Sequence, residues 1–307
     1  MFTDTHLHLA DSQFGPDREA VMERALAVRV TTLIEIAESP DIWDAAIALA
    51  DQYPSVYVSL GIHPHYAHQY GAKEWSELEK RFRNLLQHPK AVAIGEFGLD
   101  YFRMRNTRDE QAFLFRKQLE LAKDLDKPVV IHCREGQRPN VNPPLPPKVG
   151  EGKGEGRDVP SSQPSPGTRP GEGANTDIQA AIQEFFPGTS TAIECPRPAG
   201  VIHCFSGTWA EAQTYMAHGF LLGIDAPVTY PSAKALQQIV LRMPLERLVL
   251  ETDAPYLPPQ ALRGQRNEPA NIPVIAETVG TVKHKTMDEV AHRTTQNARQ
   301  LFRLPPA

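Results

Sequence analysis

Two histidines one residue apart, His6 and His8 in "DTHLHL", stand at the end of the first apolar run of the chain. Alternate side chains of a β-strand face the same side, so both imidazoles aim at one spot, and a metal ion is the occupant such a pair suits. Four groups of related chemistry close later apolar runs: Glu96 in "AIGEFGLDYFR", His132 in "VVIHCRE", His203 in "VIHCFSG" and Asp253 in "VLETDAPYL". Any one of them alone reads most simply as a satisfied polar residue at a strand end, or as the cap of a following helix. Their recurrence across five runs overrides that simple reading. Nitrogen and oxygen donors without thiolates suit Zn²⁺, Mn²⁺ or Mg²⁺, with imidazole favouring zinc. Four histidines and two carboxylates exceed what one tetrahedral ion needs, which points to two divalent ions bridged by a carboxylate and a water.

Groups so far apart in sequence can meet only if the elements carrying them converge. Short apolar runs lie near 2–9, 31–38, 56–63, 91–98, 128–133, 200–205, 220–225 and 247–253. Helical patterns separate them, among them 17–28, 74–87, 107–126 and 232–243, and "IPVIAETVGTVKH" and "TMDEVAHRTTQNARQLF" close the chain. This rhythm implies an α/β fold with a parallel sheet buried on both faces, and eight repeats predict a TIM-type (β/α)8 barrel whose strands all end at one rim. A single domain over residues 1–307 is expected. One stretch breaks the rhythm: residues 136–175 hold eight glycines and nine prolines, with the pieces "PPLPP" and "GEGKGEG". That composition predicts a disordered insertion looping out from the rim after strand five. Only "DIQAAIQEFF" (177–186) keeps a helical pattern behind it, so the fifth helix is expected to be shortened or displaced.

A formal net charge of −5 argues against a broad basic surface that wraps a polyanion, and leaves room for a local phosphate site. Neither a basic leader followed by an apolar run nor a spanning segment of about 18 apolar residues is present, so a cytoplasmic protein without membrane contact is expected. Cys133, Cys195 and Cys204 form neither a zinc spacing nor an even disulfide set. Cys133 and Cys204 each follow a candidate ligand histidine, so strand alternation turns them away from the metals as packing residues.

Together "DTHLHL", "SLGIHPH", "AIGEFGLDYFR", "VVIHCRE", "GVIHCFSG", "LVLETDAPYL" and "RGQRNEP" resemble, in order, the motifs of the TatD family of metal-dependent deoxyribonucleases, within the amidohydrolase superfamily. The resemblance spans nearly the whole chain outside the 136–175 insertion and a less certain piece up to Pro198. It implies that His6, His8, Glu96 and Asp253 hold one metal and Glu96, His132 and His203 the second. Glu96 would then bridge the ions, where several relatives in the wider superfamily use a modified lysine.

The resemblance implies hydrolysis of phosphodiester bonds in DNA, with RNA as a further substrate, from the 3′ end of single-stranded or frayed strands. Asp253 is the candidate proton acceptor and Glu96 the other catalytic carboxylate. Phosphate oxygens need donors at the rim, and His63, Arg134 and Arg103 are the candidates, Arg134 offering a bidentate fork. His63 reads nearly as well as a cap or a partner of a ligand, and His65 better so. Asn267 and Glu268 are expected to fix their loop rather than touch substrate. Tyr101, Phe102, Trp209 and Tyr256 could stack on a base, although such aromatics more often edge a core. Metal hydroxide attacks carbonyls as well, so amidohydrolase or lactonase chemistry on a small molecule is the alternative. A non-catalytic barrel scaffold is a third reading. No obligate protein partner is called for.

Overall fold

The computed structural model describes residues 1–135, 173–188, 195 and 197–305. Eight parallel strands follow one another around a single sheet: β1 Phe2–Leu7, β2 Val30–Ala37, β3 Val56–Leu60, β4 Ala91–Asp100, β5 Val129–Arg134, β6 Gly200–Ile202, β7 Phe220–Ile224 and β8 Leu248–Leu250. A bridge between Leu7 and Ala254 joins the end of β1 to the segment after β8. The expected (β/α)8 barrel is present. Its helices are α1 Arg18–Ala27, α2 Trp43–Gln52, α3 Ala72–Leu85, α4 Arg108–Asp124, α5 Ala174–Phe185, α6 Trp209–Ala217, α7 Lys234–Arg242, α8 Ile272–Lys283 and α9 Met287–Phe302.

Alternation along the strands divides the apolar residues into two cores. Leu33, Val129, Ile131, Phe220, Leu222, Leu248 and Leu250 pack outward with the helices. Ile34, Ile36, Ala93, Val130, Val201, Leu221 and Val249 form a separate cluster with Ala298, Leu301 and Phe302 of α9. That helix therefore meets the barrel interior at its lower end, opposite the rim. Its register is held by Asn297, whose amide donates to the carbonyls of Leu245 and Leu248 at 2.8 and 2.7 Å. Three helices begin with reciprocal capping boxes, Thr107 with Glu110, Thr208 with Glu211 and Thr286 with Glu289.

The insertion was expected to reach Asn175, but α5 begins at Ala174, and residues 136–172 lie outside the described residues. The fifth helix is not shortened to a remnant: it runs for 12 residues and is anchored at its start. Asn175 donates its backbone N–H to Glu135 Oε1 at 2.6 Å, so the chain re-enters close to where β5 leaves off. Tyr101 donates to Asp177 at 2.7 Å and Tyr215 to Asn175 at 2.8 Å, which fixes the helix against its neighbours.

Replacing Asn297 by Ala would leave two buried carbonyls without a donor. The expected loss is about 1–3 kcal/mol of unfolding free energy, read from urea titration, with metal content unchanged because the residue lies at the end of the barrel away from the rim.

Candidate metal centre

The strands place the six candidate ligands by different local means. In β4 the pairing with β5 steps from Gly95–Val130 to Phe97–Ile131, so Glu96 is an extra residue opposite none. Such a bulge re-aims a side chain, and here it brings the Glu96 carboxylate, 3% exposed, among the histidines. Gly95 makes the bulge feasible: its φ is +146°, and a Cβ there would lie 2.5 Å from the Val130 carbonyl oxygen. A register shift between Asp4 and Leu7 acts on His6 in the same way.

The strands are shorter, or run further, than the sequence pattern indicates. His8, His203 and Asp253 lie just beyond β1, β6 and β8, whereas Glu96 and His132 sit within β4 and β5. Asp253 occupies a left-handed conformation, φ +55°, and its N–H donates to the His6 carbonyl at 2.9 Å. The His8 N–H donates to Ala254 at 2.7 Å. Asp4, fully buried, accepts from the Thr252 N–H at 3.0 Å and the Thr252 hydroxyl at 2.6 Å. The first and last strands thus lock His6 and His8 against Asp253.

All six groups converge. His6 Nε2 lies 3.4 Å from Glu96 and 3.9 Å from Asp253, and His8 Nε2 lies 3.3 Å from Asp253. His203 Nε2 lies 4.0 Å from Glu96 and 3.9 Å from Asp253, and His132 Nδ1 meets Glu96 at 2.6 Å. Two donors each about 2.1 Å from an ion at the tetrahedral angle stand roughly 3.4 Å apart. The longer separations match ligands around a cation better than direct hydrogen bonds. Consistently, both ring nitrogens of His6 and Nε2 of His132 are buried without a hydrogen-bond partner among the described residues. The donor set therefore fits a divalent metal.

The grouping differs from the pairing of ligands implied by the resemblance. His203 clusters with His6 and Glu96, its ring stacked on His6 at 3.4 Å, while His63 joins Glu96 and His132. His63 Nε2 is 3.9 Å from Glu96, as near as His203, and its Nδ1 accepts the His65 N–H as the cap of a turn over Pro64–Gln69. His63 thus serves as a cap and also faces the carboxylates.

Carboxylates behind the imidazoles set their orientation. Glu251, fully buried, lies 2.9 Å from His203 Nδ1 and accepts the Cys204 N–H at 2.6 Å. Gly223 lets it in, because any Cβ there would collide with the Glu251 carboxylate. Asp100 contacts His65 at 2.9 Å and His132 at 3.5 Å. Partners of this kind fix ring orientation and ligand basicity. Glu38, just past β2, forms a further group with His8 and Glu96 in which the ligating atoms lie within 4.8 Å of one another. Glu38, Glu251 and Asp100 escaped the sequence reading. The reasoning that selected Glu96, a carboxylate at the end of an apolar run, would also have selected Glu38 in "LIEIAE".

The electrostatics are those of an acidic pocket waiting for cations. Burial is the largest influence on Glu96 and opposes its charge, yet His203 and His132 hold it well below the usual carboxylate range. Burial likewise opposes ionisation of Asp253, and the hydrogen bond from His8 and the charge of His203 outweigh it. Burial also disfavours protonated imidazole at His8, His132 and His203. The surrounding carboxylates prevail, lifting His8 and His132 to about 9 and His203 to about 10. His6 is pushed down instead, by burial and by His203.

Above these groups opens a cavity of about 510 Å³, lined by His63, Arg103, Arg134 and Phe102 among others. The other expected residues fall as follows. His65 bonds Asp100 and also lines the cavity. Asn267 donates to the carbonyls of Thr252, Tyr256 and Leu257 and so fixes its loop, while Glu268 pairs with Arg24. Tyr101 is a core-edge residue, and Trp209 begins α6 packed against the core. Tyr256 lines the cavity, its hydroxyl held by Asp11. Cys133 packs on the core beside Tyr215 but also reaches the cavity wall. Cys204 departs from expectation and takes its place in the cavity wall, because β6 ends at Ile202 and the Cys204 backbone turns at φ +47°.

A (β/α)8 barrel gathering imidazoles and carboxylates at its C-terminal rim is the framework of a metal-dependent hydrolase. The chain belongs to the TatD related DNase family, which it matches over residues 3–144 and 172–303. It is 31% identical over 305 residues to the "Uncharacterized metal-dependent hydrolase YabD" of Bacillus subtilis, covering 99% of this chain and 100% of the relative. It is 32% identical over 308 residues to the "3'-5' ssDNA/RNA exonuclease TatD" of Pantoea vagans, covering 98% and 99% of the two chains. Among solved structures, the TatD homologue YjjV of Escherichia coli superposes with a TM-score of 0.77 at 27% identity, covering 99% of this chain and 98% of its own. No helix among the described residues is long and apolar enough to cross a membrane.

Raised imidazole pKa values have a consequence for stability. A group whose folded value lies above its unfolded value stabilises the fold fully below the unfolded value and loses that contribution as pH rises through the folded one. Chelator-treated protein should therefore lose melting temperature between about pH 6.5 and pH 10, as His8, His132 and His203 give up their protons. Adding Zn²⁺ or Mn²⁺ should raise the melting temperature and flatten this dependence. Differential scanning fluorimetry across that range measures both.

Proposed function

We propose that the protein is a 3′–5′ exonuclease that hydrolyses phosphodiester bonds at single-stranded or frayed ends of DNA, and of RNA, with two divalent cations (Zn²⁺, Mn²⁺ or Mg²⁺). The convergence of six nitrogen and oxygen donors beneath a cavity lined by Arg103, Arg134 and Arg263 supports this reading most directly. The exonuclease description of the Pantoea vagans relative agrees with it.

In this assignment His6, His8, Glu96 and Asp253 would hold one ion, and Glu96, His132 and His203 would hold the other. Bound ions of this kind lower the pKa of an associated water toward neutrality and draw charge from phosphoryl oxygens. Asp253 is ionised at neutral pH, for the reasons given above, and can take the proton of the attacking water. The new oxygen–phosphorus bond forms as the bond from phosphorus to the leaving 3′ oxygen breaks, and Asp253 passes its proton to that oxygen. His63 and Arg134 stand where non-bridging phosphate oxygens would be held, with Arg103 beside them on the wall. The cytoplasm is the compartment we assign to the protein.

Digestion of a 3′-labelled single-stranded oligonucleotide, wild type beside Asp253→Asn, tests the reading. The expected outcome is shortening from the 3′ end by the wild type and a loss of about 10²–10⁴-fold in kcat for the variant, with metal content retained. Wild-type turnover of lactones or cyclic amides in place of oligonucleotides would move the protein to the other hydrolase class.

A further inference from the structure

Three arginines that line the cavity, Arg103, Arg134 and Arg263, make no ion pair among the described residues. Arg266 also lines the cavity, but Asp17 occupies it at 2.7 Å. Although the chain is acidic overall, Arg134 and Arg263 are each laid over an aromatic ring instead. The Arg134 guanidinium carbon is 4.6 Å from the Phe102 ring centre, and that of Arg263 is 5.1 Å from the Tyr230 ring centre.

The two pairs come from different arcs of the rim. Phe102 follows β4 and Arg134 ends β5, while Tyr230 lies past β7 and Arg263 past β8. Around the eight strands the two aromatic rings stand three strands apart, as do the two arginines, with β6, and His203 just beyond it, between the pairs. Tyr230 is only 6% exposed and its hydroxyl is fixed on the Pro258 carbonyl at 2.9 Å, making it a rigid floor beneath an exposed arginine. Phe102 is 43% exposed, an unusual state for a phenylalanine at the edge of a core.

A guanidinium stacked on a ring keeps its N–H edge free for phosphate oxygens and its outer face free for a base. One such group would serve a single phosphate. Two of them, on separate arcs of the rim, serve a chain.

We infer that Arg263 and Tyr230 form a second nucleotide subsite beside that of Arg134 and Phe102, so that the cavity engages two successive nucleotides. Arg134 on Phe102 holds the nucleotide on one side of the scissile phosphate, and Arg263 on Tyr230 holds the neighbouring nucleotide on the other. This rests on the exonuclease reading above, and it assigns to Arg263 and Tyr230 a role in selecting substrates by length. Selectivity of this kind comes from phosphate contact and stacking, so it is indifferent to base sequence.

Steady-state kinetics of metal-loaded wild type and Arg263→Ala, on a single-stranded pentanucleotide and on bis(p-nitrophenyl) phosphate, test it. The expected result is a KM for the pentanucleotide raised about tenfold or more beyond any change for the small diester, with kcat moved far less. Arg263→Lys should restore only part of the loss, because an ammonium group has no plane to stack. The salt dependence of oligonucleotide binding should weaken by about one phosphate contact in Arg263→Ala. Equal effects on both substrates, full rescue by lysine, or no effect on a pentanucleotide that the wild type cleaves would each overturn the inference while leaving the exonuclease reading standing. A wild type that hydrolyses the small diester but no oligonucleotide would overturn both.

Discussion

A carboxylate buried at the top of the barrel sets the terms for everything around it. Burying a charge is costly unless opposite charge or hydrogen bonds compensate, and Glu96 is almost wholly buried with His6, His63, His132 and His203 all within 4.0 Å. Either protons on the imidazoles or metal ions among them must compensate that charge. The proton-bearing state is visible in the raised values of His132 and His203, and a cation would displace those protons on binding. Asp100 and Glu251, behind the rings, hold the imidazoles in the orientation that either state requires.

The site also depends on closure of the sheet. His6 and His8 come from the first strand and Asp253 from just beyond the last, and Asp4 to Thr252, Asp253 to His6 and His8 to Ala254 are hydrogen bonds across nearly the full length of the chain. None of them can form before the barrel shuts, and contacts of such sequence separation form late. The lower end is stabilised separately, by Asn297 and the apolar end of α9. Stability and ligand geometry are therefore supplied from opposite ends of the barrel. That separation lets the rim differ without cost to the lower end, and after β5 the rim is held where Glu135 and Asn175 bond directly to each other.

Much of this was legible before any coordinates. The strand-helix rhythm carries the barrel, since strands buried on both faces read as continuous apolar runs, and residues such as His132 in "VVIHCRE" stand out as polar interruptions of such runs. The resemblance of motifs supplied a division of ligands between two ions, from which the grouping in the structure differs at His203 and His63. Strand ends were less legible, because three-residue strands such as β6 and β8 are continued by extended backbone that looks the same in sequence. For that reason Cys204 was placed facing away. The bulge at Glu96 was invisible too: a one-residue insertion shows only in pairing with β5, and its sole local sign is Gly95. Glu38 and Glu251 were passed over because a lone carboxylate near an apolar run has many bland explanations. Only proximity to His8 and His203 singles them out.

The chain is acidic overall, yet Arg103, Arg134, Arg263 and Arg266 are gathered in the cavity wall, and that placement has a physical use. An exterior at −5 repels extended duplex, whose binding would need many cations along a track. The guanidinium groups of Arg134 and Arg263 sit instead within a concave mouth, where low-dielectric walls concentrate their field. Under the proposed function, a strand end gains those contacts only by entering the mouth, and a duplex interior cannot enter. Preference for ends then follows from charge distribution and shape, without any contact that reads a base.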